Sequence, residues 1–308
     1  MRSSLPFLAL PFLAVLALAL AAPASAQDRG TLSPKPLPPI ANPDSPSVAA
    51  KELFGRKPEP APLAARSIGS YARGCLAGAQ ALPVDGDTWQ VMRLSRNRAW
   101  GHPRLIAFLE RLSKKVPSVG WPGLLVGDIA QARGGPMLTG HASHQIGLDA
   151  DIWLSPMPDR RLTRQEREEL SATNVVRADR LDIDPRAWTP QHLALIRTTA
   201  REPEVARLFV NPAIKRALCR EASGDRSWLT KVRPTPGHNY HYHIRLACPA
   251  GEAGCSDQDP PPVGDGCGAD LDRWFTDAML NPRPGGKPRP PLTMAQLPEE
   301  CRRVLVAR

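Results

Sequence analysis

The apolar residues change period several times along the chain, and each change marks an element. After His102-Pro103, Leu105, Leu109, Leu112 and Val116 recur at helical spacing, with Pro103 suited to a first helical turn and Pro117 stopping the run. Leu124-Leu125-Val126 reads as a short buried strand. Thr163 and Glu166 make a capping-box signature ahead of a charged helix, which the pattern predicts to be exposed. Thr189-Pro190 and Asn211-Pro212 each place a capping residue before a proline at the first helical position, and Leu208-Phe209-Val210 between them is strand-like. Helical and strand periods are mixed without regular alternation, so the expected fold class is α+β and not a doubly wound sheet.

The two ends depart from this pattern. Leu5 to Ala22 is an apolar run broken by Pro11, preceded by Arg2 and followed by Ala24-Ser25-Ala26. It reads as a secretory signal covering residues 1–26, because it is short for a membrane span and ends in small residues instead of a basic flank. Residues 27–64 are Pro-rich and lack apolar periodicity, which predicts an extended tether or wrap. Residues 65–308 then form one domain. Its own Pro-rich stretch, Pro282 to Pro291, precedes a tail that Cys301 would pin to the body.

Composition adds a compartment. With 35 Pro and 23 Gly in 308 residues, the chain stays below the content of disordered low-complexity sequences, and no period-three glycine suggests collagen. All six cysteines lie beyond the signal, where export permits three disulfides. Fifteen connectivities are possible, although Cys248 and Cys255 are near enough to pair locally. The net charge of +10 favours an anionic partner. Basic residues are dispersed and no nucleic-acid module is visible, so an anionic polymer outside the cytoplasm fits better than DNA or RNA, and a surface charge that merely solubilises fits better still.

Five of the seven histidines fall in two short clusters. In the first, His141 and His144 precede Leu148-Asp149-Ala150-Asp151-Ile152, whose strand period puts Asp149 and Asp151 on one face and the apolar residues on the other. Gly140 and Gly147 permit turns that fold the histidines back onto the end of that strand. In the second, His241 and His243 share one face of a strand roughly 7 Å apart, with His238 just upstream. If the two strands are neighbours, histidine and carboxylate ligands suited to Zn2+ converge. His102 and His192 sit at helix starts and read as structural.

The order Gly140-His-Ala-Ser-His-Gln-Ile-Gly-Leu-Asp-Ala-Asp151, Phe209-Val-Asn-Pro-Ala-Ile-Lys215, Arg226-Ser-Trp-Leu229, Lys231-Val-Arg-Pro234 and Gly264-Asp-Gly-Cys-Gly268 resembles the penicillin-insensitive murein endopeptidases. These are zinc peptidases grouped with lysostaphin, the D-alanyl-D-alanine peptidases and the hedgehog domain. The resemblance runs from about Ile68 to Phe275, with Cys301 also matching. It implies a hedgehog/D-Ala-D-Ala peptidase-like domain with a central, largely antiparallel sheet flanked by helices, stapled by Cys75–Cys301, Cys219–Cys267 and Cys248–Cys255. It also implies periplasmic cleavage of D-alanyl to meso-diaminopimelyl cross-links in peptidoglycan.

On this resemblance His144, Asp151 and His243 are zinc ligands, and His141 is a ligand or a close neighbour of the metal. His241 and His238 are the catalytic candidates. His238 falls where related peptidases carry a catalytic carboxylate, so the general base is open between His238, His241 and, ranked below them, Asp149. Arg133 and Arg245 are candidate contacts for substrate carboxylates. The sequence has no S-x-x-K with K-T-G, so a β-lactam has no acylating machinery to trap. The same site could serve a D,D- or L,D-carboxypeptidase, or a non-catalytic zinc-containing peptidoglycan-binding module.

Overall fold

The computed structural model describes residues 29–282 and 290–308. The signal at 1–26 lies outside them, as do residues 283–289 of the second Pro-rich stretch. Among the described residues no helix is long and apolar enough to cross a membrane.

The core is a seven-stranded sheet built from β1 (Asp85–Gly86), β2 (Trp89–Val91), β3 (Leu124–Val126), β4 (Asp149–Trp153), β5 (Val205–Val210), β6 (Val232–Pro234) and β7 (His241–Leu246). Its order is β6-β5-β7-β4-β3-β2-β1. The β6/β5 and β3/β2 pairs are parallel and the other four junctions antiparallel, so the sheet is mixed and largely antiparallel. Helices flank it, α1 (Pro103–Lys115), α2 (Arg164–Glu169), α3 (Pro190–Ala200) and α4 (Pro212–Glu221), while α5 (Glu300–Val306) packs instead on a separate two-stranded sheet of Arg66–Ser70 and Arg73–Ala77.

Strand alternation divides the sheet into two unlike faces. Ala150 and Ile152 of β4, Leu208 and Val210 of β5 and Tyr242, Ile244 and Leu246 of β7 bury themselves with Leu105, Leu109 and Leu112 of α1 and with apolar residues of α3 and α4. The intervening positions, Asp149, Asp151 and Trp153 on β4 and His241, His243 and Arg245 on β7, point to the other face. The apolar face supplies the burial that drives the fold. The opposite face is left for polar groups.

The helix starts follow the sequence signals. The His102 side chain caps α1 by accepting from Arg104 N at 3.2 Å, and Asn211 caps α4 by accepting from Ala213 N at 2.9 Å. His192, stacked on Trp188 and meeting Trp121 edge-on, bonds Thr189 and Leu154 O, a structural role as expected. Helix α2 begins with the predicted capping box, and Arg164, Gln165 and Glu169 are exposed as expected, but one side of it is not. Arg167 and Glu168 are buried, because Arg167 satisfies the carbonyls of Leu162, Val84 and Val91 while Glu168 accepts from Ser95 N and Oγ.

Residues 29–64 form a wrap and not a free tether. Gly30 N donates to Glu168 O, Arg56 to Pro38 O and Asn97 Nδ2 to Pro58 O. A short helix, Ala50–Phe54, which apolar periodicity did not reveal, buries Phe54 against Ile68, Leu297 and Val304 in a second core. The three disulfides are Cys75–Cys301, Cys219–Cys267 and Cys248–Cys255. The first crosses 226 residues and lies inside that second core. Its removal by Cys301→Ser is expected to cost about 2–5 kcal/mol, read as a lower denaturant midpoint; an unchanged midpoint would show that the tail needs no pin.

Candidate metal centre

Strands β4 and β7 are direct neighbours, and their register sets the site. His243 lies opposite Asp151, His241 opposite Trp153 and Arg245 opposite Asp149. Cross-strand partners on one face stand about 4.5–5.5 Å apart at Cβ. The register alone therefore brings the two sequence clusters together.

The 140–147 loop completes the group. Gly140, His144 and Gly147 all have left-handed φ, at +86°, +66° and +71°. A Cβ at Gly147 would stand 2.5 Å from Leu76 Cδ2 and 2.8 Å from His102 N, so only glycine fits that turn. At its tip His144 is completely buried. Its Nδ1 donates to Ile129 O at 2.5 Å, which leaves Nε2 as a lone pair 3.5 Å from Asp151 Oδ1.

Asp151 Oδ1 is the focus. His243 Nδ1 lies 3.5 Å from it and His241 Nε2 3.6 Å, while His141 Nε2 is 3.5 Å from Oδ2. The Nε2 of His144 and the Oδ1 of Asp151 are buried without a hydrogen-bond partner. Orphaned buried polar atoms are costly, and a cation between these donors would satisfy both. One ligand atom each from His141, His144 and Asp151 can be drawn within 4.8 Å of one another, a spacing that could hold a metal. Imidazole and carboxylate are a donor set suited to zinc.

Asp149 supports this group from behind. Its carboxylate accepts from Arg245 Nε and Nη2 at 2.9 Å each and from His144 N at 3.0 Å, and Oδ1 lies 3.2 Å from His243 Nε2. That contact favours the proton on Nε2 and leaves Nδ1 to face Asp151. Asp149 is fully buried and fully engaged, which places it as an orienting partner and not as a group open to substrate.

Electrostatics follow from burial opposed by charge. Burial works against ionised Asp151, but His241, His144 and His141 hold its carboxyl well below the usual carboxylate range. Burial likewise depresses an imidazolium at His144, yet Asp151, Asp149 and Asp128 together raise its pKa. The site therefore favours positive charge beside His144. Burial pushes His241 and His243 down to about 4, against the pull of Asp151 and Asp149 respectively, and it also lowers His238. At neutral pH these three are neutral imidazoles, so His241 can donate a neutral N–H but not an imidazolium proton. Nδ1 of His238 donates to Pro236 O at 3.1 Å, leaving Nε2 as an acceptor, and its ring centroid is 4.9 Å from that of His241.

Of the six candidate residues, His141, Asp151 and His241 line one open cleft of about 140 Å³, His144 and His243 are buried against Asp151, and the His238 ring stands 4.9 Å from that of His241. The rim of the cleft holds groups that sequence reasoning missed. Asp128 Oδ2 accepts from Arg98 at 2.9 Å and Arg96 at 3.1 Å and lies 3.0 Å from His141 Nε2. Arg93 stacks 4.9 Å over Trp153. Three arginines within six residues were the available signal, but nothing local says that their loop meets β4. The two arginines proposed for substrate lie elsewhere. Arg133 donates to the carbonyls of Val304, Leu305 and Ala307 at the end of α5, and Arg245 is consumed by Asp149 and Gln258.

Fold and site together define a class: an α+β domain whose central strands and one glycine-hinged loop present a histidine–carboxylate group able to hold a metal in an open cleft. More particularly, residues 67–306 match the family described as penicillin-insensitive murein endopeptidase, and the chain belongs to that family. It is similar to the penicillin-insensitive murein endopeptidase of Haemophilus influenzae, 47% identical over 243 residues, which cover 78% of this chain and 82% of that one. The proteins of the same name from Klebsiella pneumoniae and Escherichia coli are 46% and 43% identical, over 78% and 80% of this chain and 86% and 88% of theirs.

Proposed function

We propose that the protein is a zinc-dependent murein D,D-endopeptidase that hydrolyses the D-alanyl to meso-diaminopimelyl cross-link of peptidoglycan in the periplasm, exported on residues 1–26 and acting through the domain at 65–308. The observation that carries the reading is the convergence of His144 Nε2, Asp151 Oδ1 and His243 Nδ1 in a chain of this family.

His144, Asp151 and His243 would hold the ion, with His141 a further ligand or its immediate neighbour. A bound zinc would supply an activated water and polarise the scissile carbonyl. The chain's own groups do the rest. His238, neutral and with Nε2 free to accept, takes the proton from the attacking water and passes it to the leaving amine. His241 donates its N–H toward the oxygen on which charge develops. Ile129 O and Asp149, on the far sides of the rings, keep the imidazoles of His144 and His243 oriented. The net charge of +10 over the full sequence suits the carboxylates of the stem peptides.

The test is product mass spectrometry on purified cross-linked muropeptide dimers, with metal analysis, before and after chelation. The expected result is conversion of dimers to monomers, lost on chelation and restored by zinc. Loss of a terminal alanine alone would make the protein a carboxypeptidase, and binding without cleavage would make it a recognition module. Activity that survives complete metal removal would end the metalloenzyme reading.

A further inference from the structure

Asn211 stands where β5 ends and α4 begins, and it does more than cap the helix. Its Oδ1 accepts from Ala213 N at 2.9 Å, which is the cap. Its Nδ2 donates to Gly237 O at 2.8 Å, and its main-chain N donates to His238 O at 3.1 Å. A helix cap needs only the oxygen. The other two donors of this residue, buried at 7% exposure, grip two consecutive carbonyls of the loop that carries His238.

That loop needs such a grip. Gly237 and His238 both have left-handed φ, at +73° and +52°, a region disfavoured for a residue with a Cβ. No heavy atom lies within 4 Å of where a Cβ on Gly237 would sit, so packing on that side does not hold the turn. Without its bonds to Asn211 the segment would have reason to relax toward negative φ, and the His238 ring would leave its place 4.9 Å from His241 and 6.0 Å from His243.

The geometry points to Asn211 as a positioning residue that holds His238 in its left-handed conformation facing the metal centre. The inference rests on the reading of His238 as the proton acceptor, and the experiment separates the two. Asn211→Ser keeps a capping oxygen but is too short to reach Gly237 O, and Asn211→Asp keeps cap and size but has no side-chain N–H to give. Both should lower kcat about 10–100-fold, with KM, zinc content and melting temperature close to wild type. In a His238→Ala background, Asn211→Ser should change kcat by less than about twofold, because its effect runs through that ring.

If Asn211→Ser is unstable, Asn211→Asp carries the same comparison. Wild-type kcat in these variants beside a crippled His238→Ala would overturn the positioning role alone. So would losses that multiply in the double variant. A fully active His238→Ala would overturn the catalytic reading of His238, and this inference with it.

Discussion

Replacing His144 with Ala is expected to abolish turnover of cross-linked muropeptides and retention of zinc together. The ring is completely buried, its Nδ1 is committed to Ile129 O, and its Nε2 has no protein hydrogen-bond partner. The strand residues His243 and His241 are fixed in register by β4 and do not take its place. Lewis-acid assistance is worth several kcal/mol in metal hydrolases, which corresponds to a rate loss of at least about 10³-fold. Removing the imidazole also leaves Ile129 O without its donor, at about 1–3 kcal/mol of stability. Turnover, elemental analysis and a melting curve on one preparation check all three. A zinc-free His144→Ala protein with full turnover would end the metal reading; loss of turnover with zinc fully retained would remove His144 from the ligand set.

Much of this site was legible because it depends on local period. Alternation alone put Asp149 with Asp151 and His241 with His243, each pair on one face of its strand, and the glycines at 140 and 147 marked a loop that could double back. The pairing of β4 with β7 was not legible in the same way. It joins residues more than 80 positions apart, and only the resemblance to a family implied it. The helices capped by His102, Thr163 and Asn211 declared themselves through side chains that satisfy orphan amides near their own position. What failed was the fate of charged residues. Arg245 shares a face with His243, as alternation requires, yet the same register sets it opposite Asp149 and spends its guanidinium there. Arg133 and Arg167 bond to main-chain carbonyls from distant segments, and no sequence period encodes such partners.

Asp149→Ala is expected to be the most destabilising substitution at the site, and its two effects can be separated. The carboxylate and the Arg245 guanidinium form a buried, two-bond ion pair, so removing one partner strands the other charge at about 3–5 kcal/mol. It also removes the carboxylate oxygen 3.2 Å from His243 Nε2 and the acceptor that receives His144 N, which should weaken zinc binding about 10–100-fold. In the double variant Asp149→Ala with Arg245→Met no charge is stranded, so stability should return in large part while zinc affinity stays low. The pH dependence has a definite sign. Arg245, followed by His243, outweighs burial and holds the Asp149 carboxyl well below its ordinary 3.8. Its contribution is therefore complete above that value and lost as pH falls through the depressed folded-state value. The stability gap between wild type and Asp149→Asn should accordingly be constant from neutral pH down to about 4 and close below it. Urea melts across that range and a competitive zinc titration check both parts. A single variant as stable as wild type would remove the ion pair's structural role, and unchanged zinc affinity in both variants would show that the ligand histidines need no help from Asp149.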